Sequence, residues 1–249
     1  MAKILAIDST MNGCSACVYE AGESGSAVLL AQEQKQMNRG QAEHLVPLIE
    51  RVMKRAGSTY ESLDLIGVTK GPGAFTGMRI GIATAKAIGL AAGKPVMGIS
   101  TFDAVLDTAL HEQRENNKIK KSDGYAVILE TKRKDYYVQL FADINGKSER
   151  PQEITQGMTA GAEHIFAMIK DRQVVLIGDA CERIISEKKI EFPCIEVKTP
   201  SPQSIARLAA FMYCSLGTGG EKDNHFKPAY LRGAEIGASQ KRTRTLKKK

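Results

Sequence analysis

The chain has 249 residues, of which 43% are hydrophobic and 25% charged, a composition typical of a folded globular protein. The formal net charge is +7, but residues 241–249 carry six cations and no anion, which leaves 29 Lys and Arg against 28 Asp and Glu. This neutral body argues against nucleic-acid binding over the whole surface, and the short apolar run at the amino terminus argues against a signal peptide or membrane span, so we expect a cytoplasmic protein.

The first part of the chain is predicted to form three strands followed by a helix. Apolar runs separated by turn signals predict strands at residues 3–8, 14–19 and 27–32. Between residues 41 and 56, apolar side chains recur at every third or fourth position, which predicts an amphipathic helix. The change from one period to the other is typical of an α/β unit.

A glycine-rich joint, "KGPGAFTGMRIG" at residues 70–81, connects the predicted strand at residues 63–70 to a second predicted helix at residues 76–92. Its glycine spacing fits neither the P-loop nor the dinucleotide-binding motif. Free backbone N–H groups at the start of a helix favour an anion, whereas glycines also let a strand and a helix pack closely. The sequence leaves both interpretations open. The candidate nucleotide-binding residues are Asp8, Ser9, Thr10, Gly71, Gly73, Ala74, Phe75, Thr76, Gly77 and Arg79.

The second predicted helix is apolar on almost every side, and after Met78 only Arg79, Thr84 and Lys86 are polar. Because a sheet covers only one face of a helix, the other face is expected to be covered by the second domain or by a partner protein. We favour the partner, which would form a helical bundle with the first two helices. The residues expected at this interface are His44, Leu45, Leu48, Val52, Met78, Ile82, Ala85, Lys86 and Gly89.

The second half of the chain repeats this order of elements, beginning with predicted strands at residues 124–130 and 135–142. Two copies of strand, strand, strand, helix, strand, helix predict an α/β fold of two duplicated domains that face a cleft. We place the domains at residues 1–110 and 111–232. A basic tail follows at residues 233–249, which is predicted to be disordered and either to contact RNA or to aid solubility.

Four motifs carry a resemblance to a known family. They are "IDST" in the first strand, "QAEHLVPLIE" on the first helix, "GPGAFTGMRIG" before the second helix and "PAYLR" near the end. In order and spacing they resemble the bacterial tRNA threonylcarbamoyladenosine biosynthesis proteins of the TsaB family, over roughly residues 1–232. The resemblance implies the actin-like ATPase fold, which sugar kinases, Hsp70 and actin share.

The resemblance also implies a role as a scaffold without catalytic residues. Its partner would be the transferase TsaD, a paralogue of the same fold, in a heterodimer. Together with the ATPase TsaE, this complex transfers a threonylcarbamoyl group from threonylcarbamoyl-adenylate to the adenosine next to the anticodon of tRNAs that read codons beginning with A. The tRNA would be bound through the complex, the chain alone would form a homodimer, and no membrane would be involved.

Individual residues help to decide between a scaffold and an enzyme. The transferase of the family carries His-x-x-x-His on its first helix, but His44 has Gly40 four residues before it and Leu48 four after it. One ligand cannot hold a metal, so no metal is expected. Glu130 stands where an active ATPase of this fold has aspartate followed by glycine. We therefore expect that the chain has no cofactor of its own. The exception would be ATP or ADP bound near the partner interface. The alternative is a self-sufficient ATP-dependent kinase or metalloprotease.

Overall fold

The protein is described here by a computed structural model that covers residues 1–22, 27–115, 122–143, 151–189, 191–216 and 226–231. Arg232 and the basic tail predicted at residues 233–249 lie outside these described residues. The described residues form two mixed sheets with helices on both faces of each, so the predicted α/β class is confirmed. Among these residues, no helix combines the length and the apolar character that a membrane crossing needs.

The first sheet has the strand order β3-β2-β1-β4-β5. The pairs β1–β2 and β2–β3 are antiparallel, whereas β1, β4 and β5 are parallel, because short turns join the first three strands and helices join the others. The strands are β1 (Ala2–Asp8), β2 (Gly13–Ala21), β3 (Ala27–Gln36), β4 (Leu65–Thr69) and β5 (Val96–Ile99). The helices of this part are α1 (Gln41–Arg55), α2 (Phe75–Ala92) and α3 (Thr101–Glu115).

The second sheet repeats the topology of the first. Its order is β11-β10-β6-β7-β8, with β9 also paired to β7, so the first strand of this half again lies between a hairpin partner and a parallel neighbour. The strands are β6 (Gly124–Glu130), β7 (Tyr136–Ala142), β8 (Gln152–Glu153), β9 (Met158–Ala160), β10 (Val174–Ile177) and β11 (Cys194–Ile195). The helices are α4 (Ala162–Ile169), α5 (Cys181–Lys188) and α6 (Pro202–Leu216). This duplication is the actin-like ATPase fold.

The helices do not all cover the sheet of their own half. Helices α1 and α2 pack on one face of the first sheet, against side chains such as Leu5 and Ile66, and α4 and α5 pack on the second sheet. Helix α3, however, packs mainly on the second sheet, where Phe102 contacts the cluster that includes Val127. Helix α6 returns to the uncovered face of the first sheet.

The domain boundary placed after residue 110 therefore needs correction. It separates each sheet from one of the helices that cover it, because α6 packs so closely on the first sheet that a Cβ on Gly67 would lie 2.9 Å from the Cβ of Ala209. Ile4 and Ala6 on β1 face this helix and are completely buried by it and its neighbours. In space, the first domain includes α6 and the second includes α3.

Candidate functional site

The glycine-rich joint packs against the turn that follows β1. A Cβ on Gly73 would lie 2.2 Å from the carbonyl oxygen of Thr10, and one on Gly77 would lie 2.0 Å from that of Ser9. The Ala74 N–H donates to the Thr10 carbonyl at 2.6 Å, and the Ser9 hydroxyl donates to the Gly77 carbonyl at 2.7 Å. The glycines are therefore required for contact between two stretches of the chain, which accounts for the joint without an anion.

Asp8 holds the turn in this position. Its Oδ1 accepts hydrogen bonds from the Thr10 N–H at 3.0 Å, the Thr10 hydroxyl at 2.6 Å and the Thr69 hydroxyl at 2.5 Å. Burial raises the pKa of the Asp8 carboxyl, and the hydrogen bonds from Thr10 and Thr69 only partly oppose this. Its Oδ2 is buried without a hydrogen-bond partner among the described residues. Asp8 therefore fixes the end of β1, and its predicted role in nucleotide binding stays a prediction.

A cleft of about 900 Å³ lies between the two sheets. Five of the ten predicted nucleotide-binding residues line it, namely Thr10, Gly73, Ala74, Phe75 and Arg79. The other five are outside its lining, namely Asp8, Ser9, Gly71, Thr76 and Gly77. Gly71 instead adopts φ +103° beside residues 226–231, where an added Cβ would lie 3.2 Å from the Ala229 carbonyl oxygen. Binding of ATP or ADP at this place stays a prediction.

One wall of the cleft carries an aromatic–cation cluster formed by Phe75, Arg79 and Tyr230. The Arg79 guanidinium lies 3.8 Å from the centroid of the Phe75 ring, and its Nε donates to the Tyr230 hydroxyl at 2.9 Å. The two rings are 5.4 Å apart and inclined at 37°. Phe75 is 54% exposed and Tyr230 is 44% exposed, so two large rings are held in fixed positions at a wet surface.

Tyr230 belongs to a C-terminal strap, residues 226–231, that lies along the first domain. The Ala229 N–H donates to the Lys70 carbonyl at 2.7 Å. Phe226 is buried in the core of α1 and α2, where it fills the space beside Gly98, and Lys86 donates to its carbonyl at 3.4 Å. The strap thus connects the end of the chain to both ends of the glycine-rich joint.

The opposite wall is the basic turn, residues 131–135, between β6 and β7. Lys132 and Arg133 line the cleft there. Glu130 accepts the Lys132 N–H at 2.6 Å and pairs with the Arg183 Nε at 3.1 Å, while Arg183 also donates to the Arg133 carbonyl at 2.6 Å. The residue that replaces the ATPase aspartate is therefore used to shape this turn.

Asp179 lies beside the basic turn, at the end of β10. Its Oδ1 accepts the Glu130 N–H at 2.9 Å. The pKa of its carboxyl is raised to about 6, mainly by burial and in part by the charge of Glu130, against the lowering effect of the hydrogen bond from the Glu130 N–H and of Lys132. Sequence reasoning did not name Asp179, Lys132, Arg133, Tyr137 or Tyr230 as site residues, because their approach to the joint depends on contacts between residues up to 151 positions apart.

The structure corrects most of the predicted partner interface. Seven of its residues are buried in the first domain, namely Leu45, Leu48, Val52, Met78, Ile82, Ala85 and Gly89. The physical reason is that the apolar stripe of each helix packs on the sheet of its own domain, which buries these side chains. Lys86 is half-buried against the Phe226 ring, at 4.7 Å from its centroid, and His44 is half-buried.

A different apolar face of the same two helices is exposed. On α2 it consists of Ala83, Ala87 and Leu90, with Leu90 86% exposed, and on α1 Val46 is 45% exposed. Helices α1 and α2 contact each other, so these side chains belong to adjoining helices. This exposed apolar face is offset by one position along α2 from the residues that the sequence suggested for a partner interface.

No metal centre is evident in the part of the chain that the structure describes. No group of three His, Cys, Asp or Glu side chains there is placed to hold an ion. Position 48, where the second histidine of the transferase motif would be, is a completely buried leucine in the core. The expected lack of catalytic activity stays a prediction.

Comparison with known families relates the chain to two kinds of protein. A family model described as "TsaD: tRNA N6-adenosine threonylcarbamoyltransferase" matches residues 31–147. A tRNA N6-adenosine threonylcarbamoyltransferase of Erythrobacter litoralis is 50% identical over 65 residues, which span 26% of this chain but only 19% of that protein. A second such enzyme, from Koribacter versatilis, is 32% identical over 46% of this chain and 33% of its own length.

Other relatives match more of the chain at lower identity. A "tRNA threonylcarbamoyladenosine biosynthesis protein TsaB" of Buchnera aphidicola is 27% identical over 72% of this chain and 76% of that protein. The solved structure "YeaZ from Pseudomonas aeruginosa" superposes with a TM-score of 0.73 at 21% identity, covering 93% of this chain and all of the other. That likeness supports the fold alone, whereas the sequence matches support the resemblance to TsaB.

Proposed function

We propose that this chain, a TsaB-type protein, acts in the biosynthesis of threonylcarbamoyladenosine in tRNA as a scaffold that binds a TsaD-type transferase. It would carry no catalytic residue of its own and would form a heterodimer in the cytoplasm, with a TsaE-type ATPase and tRNA joining the complex. In the absence of the transferase, the same face would support a homodimer. The transferase and TsaB relatives support the pathway.

The exposed apolar face of α2 is the observation that carries this proposal. Leu90, Ala83 and Ala87 are exposed on a helix whose last two turns present no charge other than Lys86. Small side chains allow the backbones of two helices to approach closely, and a large apolar side chain at the edge supplies an anchor. A transferase of the same fold would bring helices of matching geometry to this face.

The proposal is tested by co-elution of the purified chain with a TsaD-type transferase in size-exclusion chromatography. We expect Ala87→Glu to fold normally and to weaken pairing at least tenfold, since it buries an unpaired carboxylate between two helices. Ala167→Glu is the matched control, because Ala167 is also an exposed helical alanine but lies on α4 in the second domain.

Two results would contradict the proposal. The first is full co-elution of the folded Ala87→Glu variant, which would make the α2 face an ordinary surface. The second is threonylcarbamoyl transfer, phosphorylation or proteolysis by the isolated chain, which would favour the self-sufficient enzyme.

A further inference from the structure

We propose that the cleft between the two sheets binds a single-stranded segment of RNA. One base would stack on the aromatic–cation cluster, and the adjoining phosphates would lie on the basic turn. The inference rests on the proposed function for the identity of the RNA, which is the tRNA of the complex. The two walls of the cleft supply the binding chemistry.

The first wall provides a stacking surface. Large aromatic rings are usually buried in the core, but Phe75 and Tyr230 are half-exposed. Arg79 and the strap hold the two rings in place. Bases that are not paired stack on aromatic rings and on guanidinium planes. The cluster offers both kinds of surface in one fixed arrangement, so little conformational entropy is lost when a base binds.

The second wall provides positive charge. Lys132 and Arg133 lie on a turn that Arg183 fastens through the carbonyl groups of Arg133 and Asp135. The carboxylate of Glu130 is neutralised by its ion pair with Arg183. Because the pKa of Asp179 is raised to about 6, its carboxyl is mostly neutral below that pH and then repels a bound phosphate less. The two cationic side chains on this wall suit a polyanion.

The arrangement favours a polynucleotide over a free nucleotide. Two polar groups where the joint meets the turn after β1, the Ala74 N–H and the Ser9 hydroxyl, are used in internal hydrogen bonds and are not free to bind a phosphate. The cations also lie on both walls of the cleft, with Arg79 on one wall and Lys132 and Arg133 on the other. Successive phosphates of a strand can reach both walls, whereas one nucleotide cannot.

The test is the binding of a fluorescein-labelled ten-nucleotide single-stranded RNA to the full chain, followed by fluorescence anisotropy at several salt concentrations. We expect Phe75→Ala to weaken binding about tenfold, as for the loss of one stacked base. The double variant Lys132→Glu/Arg133→Glu should weaken it more and reduce the salt slope by about 1.4, the value for two phosphate contacts on a single strand.

Matched controls separate the cleft from the general surface. Phe211→Ala removes a ring of equal exposure, 53%, on α6, and Lys170→Glu/Arg172→Glu makes the same charge change at exposed positions after α4. Both should change RNA affinity less than threefold, and thermal melting should show that all four variants fold.

Equal losses in the cleft and control variants would overturn the inference, because binding would then be diffuse. Displacement of the RNA by millimolar ADP would also overturn it, since a mononucleotide would then be the ligand. The cleft variants are also tested for co-elution with the transferase. Those variants should still pair with the transferase. A wild-type chain that pairs with the transferase but binds no RNA would refute this inference and leave the proposed function standing.

Discussion

At the scale of single residues, Asp179 shows how packing sets a charge in the cleft. Burial raises the pKa of its carboxyl from the ordinary 3.8 to about 6. Between about pH 4 and pH 6 the unfolded chain loses a proton that the folded chain keeps, so this group lowers stability as the pH rises. Asp179→Asn keeps an acceptor for the Glu130 N–H. We expect it to raise the free energy of unfolding at pH 7 by about 2–3 kcal/mol, as measured by urea unfolding.

The same variant should show almost no gain at pH 3.5, where the carboxyl is mostly protonated in both states. A gain of equal size at both pH values would instead indicate a change in packing. The sequence alone did not single out Asp179, which follows β10 and lines the cleft. The direction of its pKa shift could not be predicted, because it depends on which side chains bury the carboxyl.

At the scale of an element, the glycine-rich joint should tolerate no added side chain. An alanine in the first turn of a helix would normally be more favourable than glycine by about 1 kcal/mol. At Gly77, however, its Cβ would meet the Ser9 carbonyl oxygen at 2.0 Å, and backbone cannot move aside cheaply. We therefore expect Gly77→Ala to lower the free energy of unfolding by about 3 kcal/mol, as measured by urea unfolding.

Gly161→Ala is the control for this variant, since nothing lies within 4 Å of a Cβ there and φ is −77°. It should change stability by at most about 1 kcal/mol, through the loss of a favoured residue at the start of α4. If Gly77→Ala were as stable as the control, the close packing of the joint would not limit the fold. The glycines in the sequence predicted either an anion site or close packing of a strand and a helix. Deciding between them needed the position of the turn after β1, which the sequence does not show.

At the scale of the whole molecule, the crossing of α3 and α6 between the sheets should make the two halves unfold together. Ile205 on α6 is completely buried against the first sheet, although it lies in the second half of the chain. We expect Ile205→Ala to lower stability by about 2–5 kcal/mol and to reduce hydrogen-exchange protection in β1 as well as in β6.

Phe211→Ala on the exposed side of the same helix should leave exchange in both sheets unchanged. If Ile205→Ala reduced protection in the first sheet alone, the two halves would unfold separately. Hydrophobic periodicity predicted nearly all of the strands and helices, since it depends on neighbours along the chain. It could not predict which sheet α6 covers, or which side of α2 faces outward, because an apolar stripe does not identify the surface that buries it.

The strap has a consequence for how the protein is made. Phe226 completes a core whose other members are encoded between Leu5 and Val96, and the Ala229 N–H completes a hydrogen bond with Lys70. A ribosome delivers these partners more than 120 residues apart, so the first half leaves the exit tunnel with the space beside Gly98 unfilled. The wall that carries Tyr230 is therefore assembled only after translation has passed residue 230, and a product truncated before the strap would carry the glycine-rich joint without it.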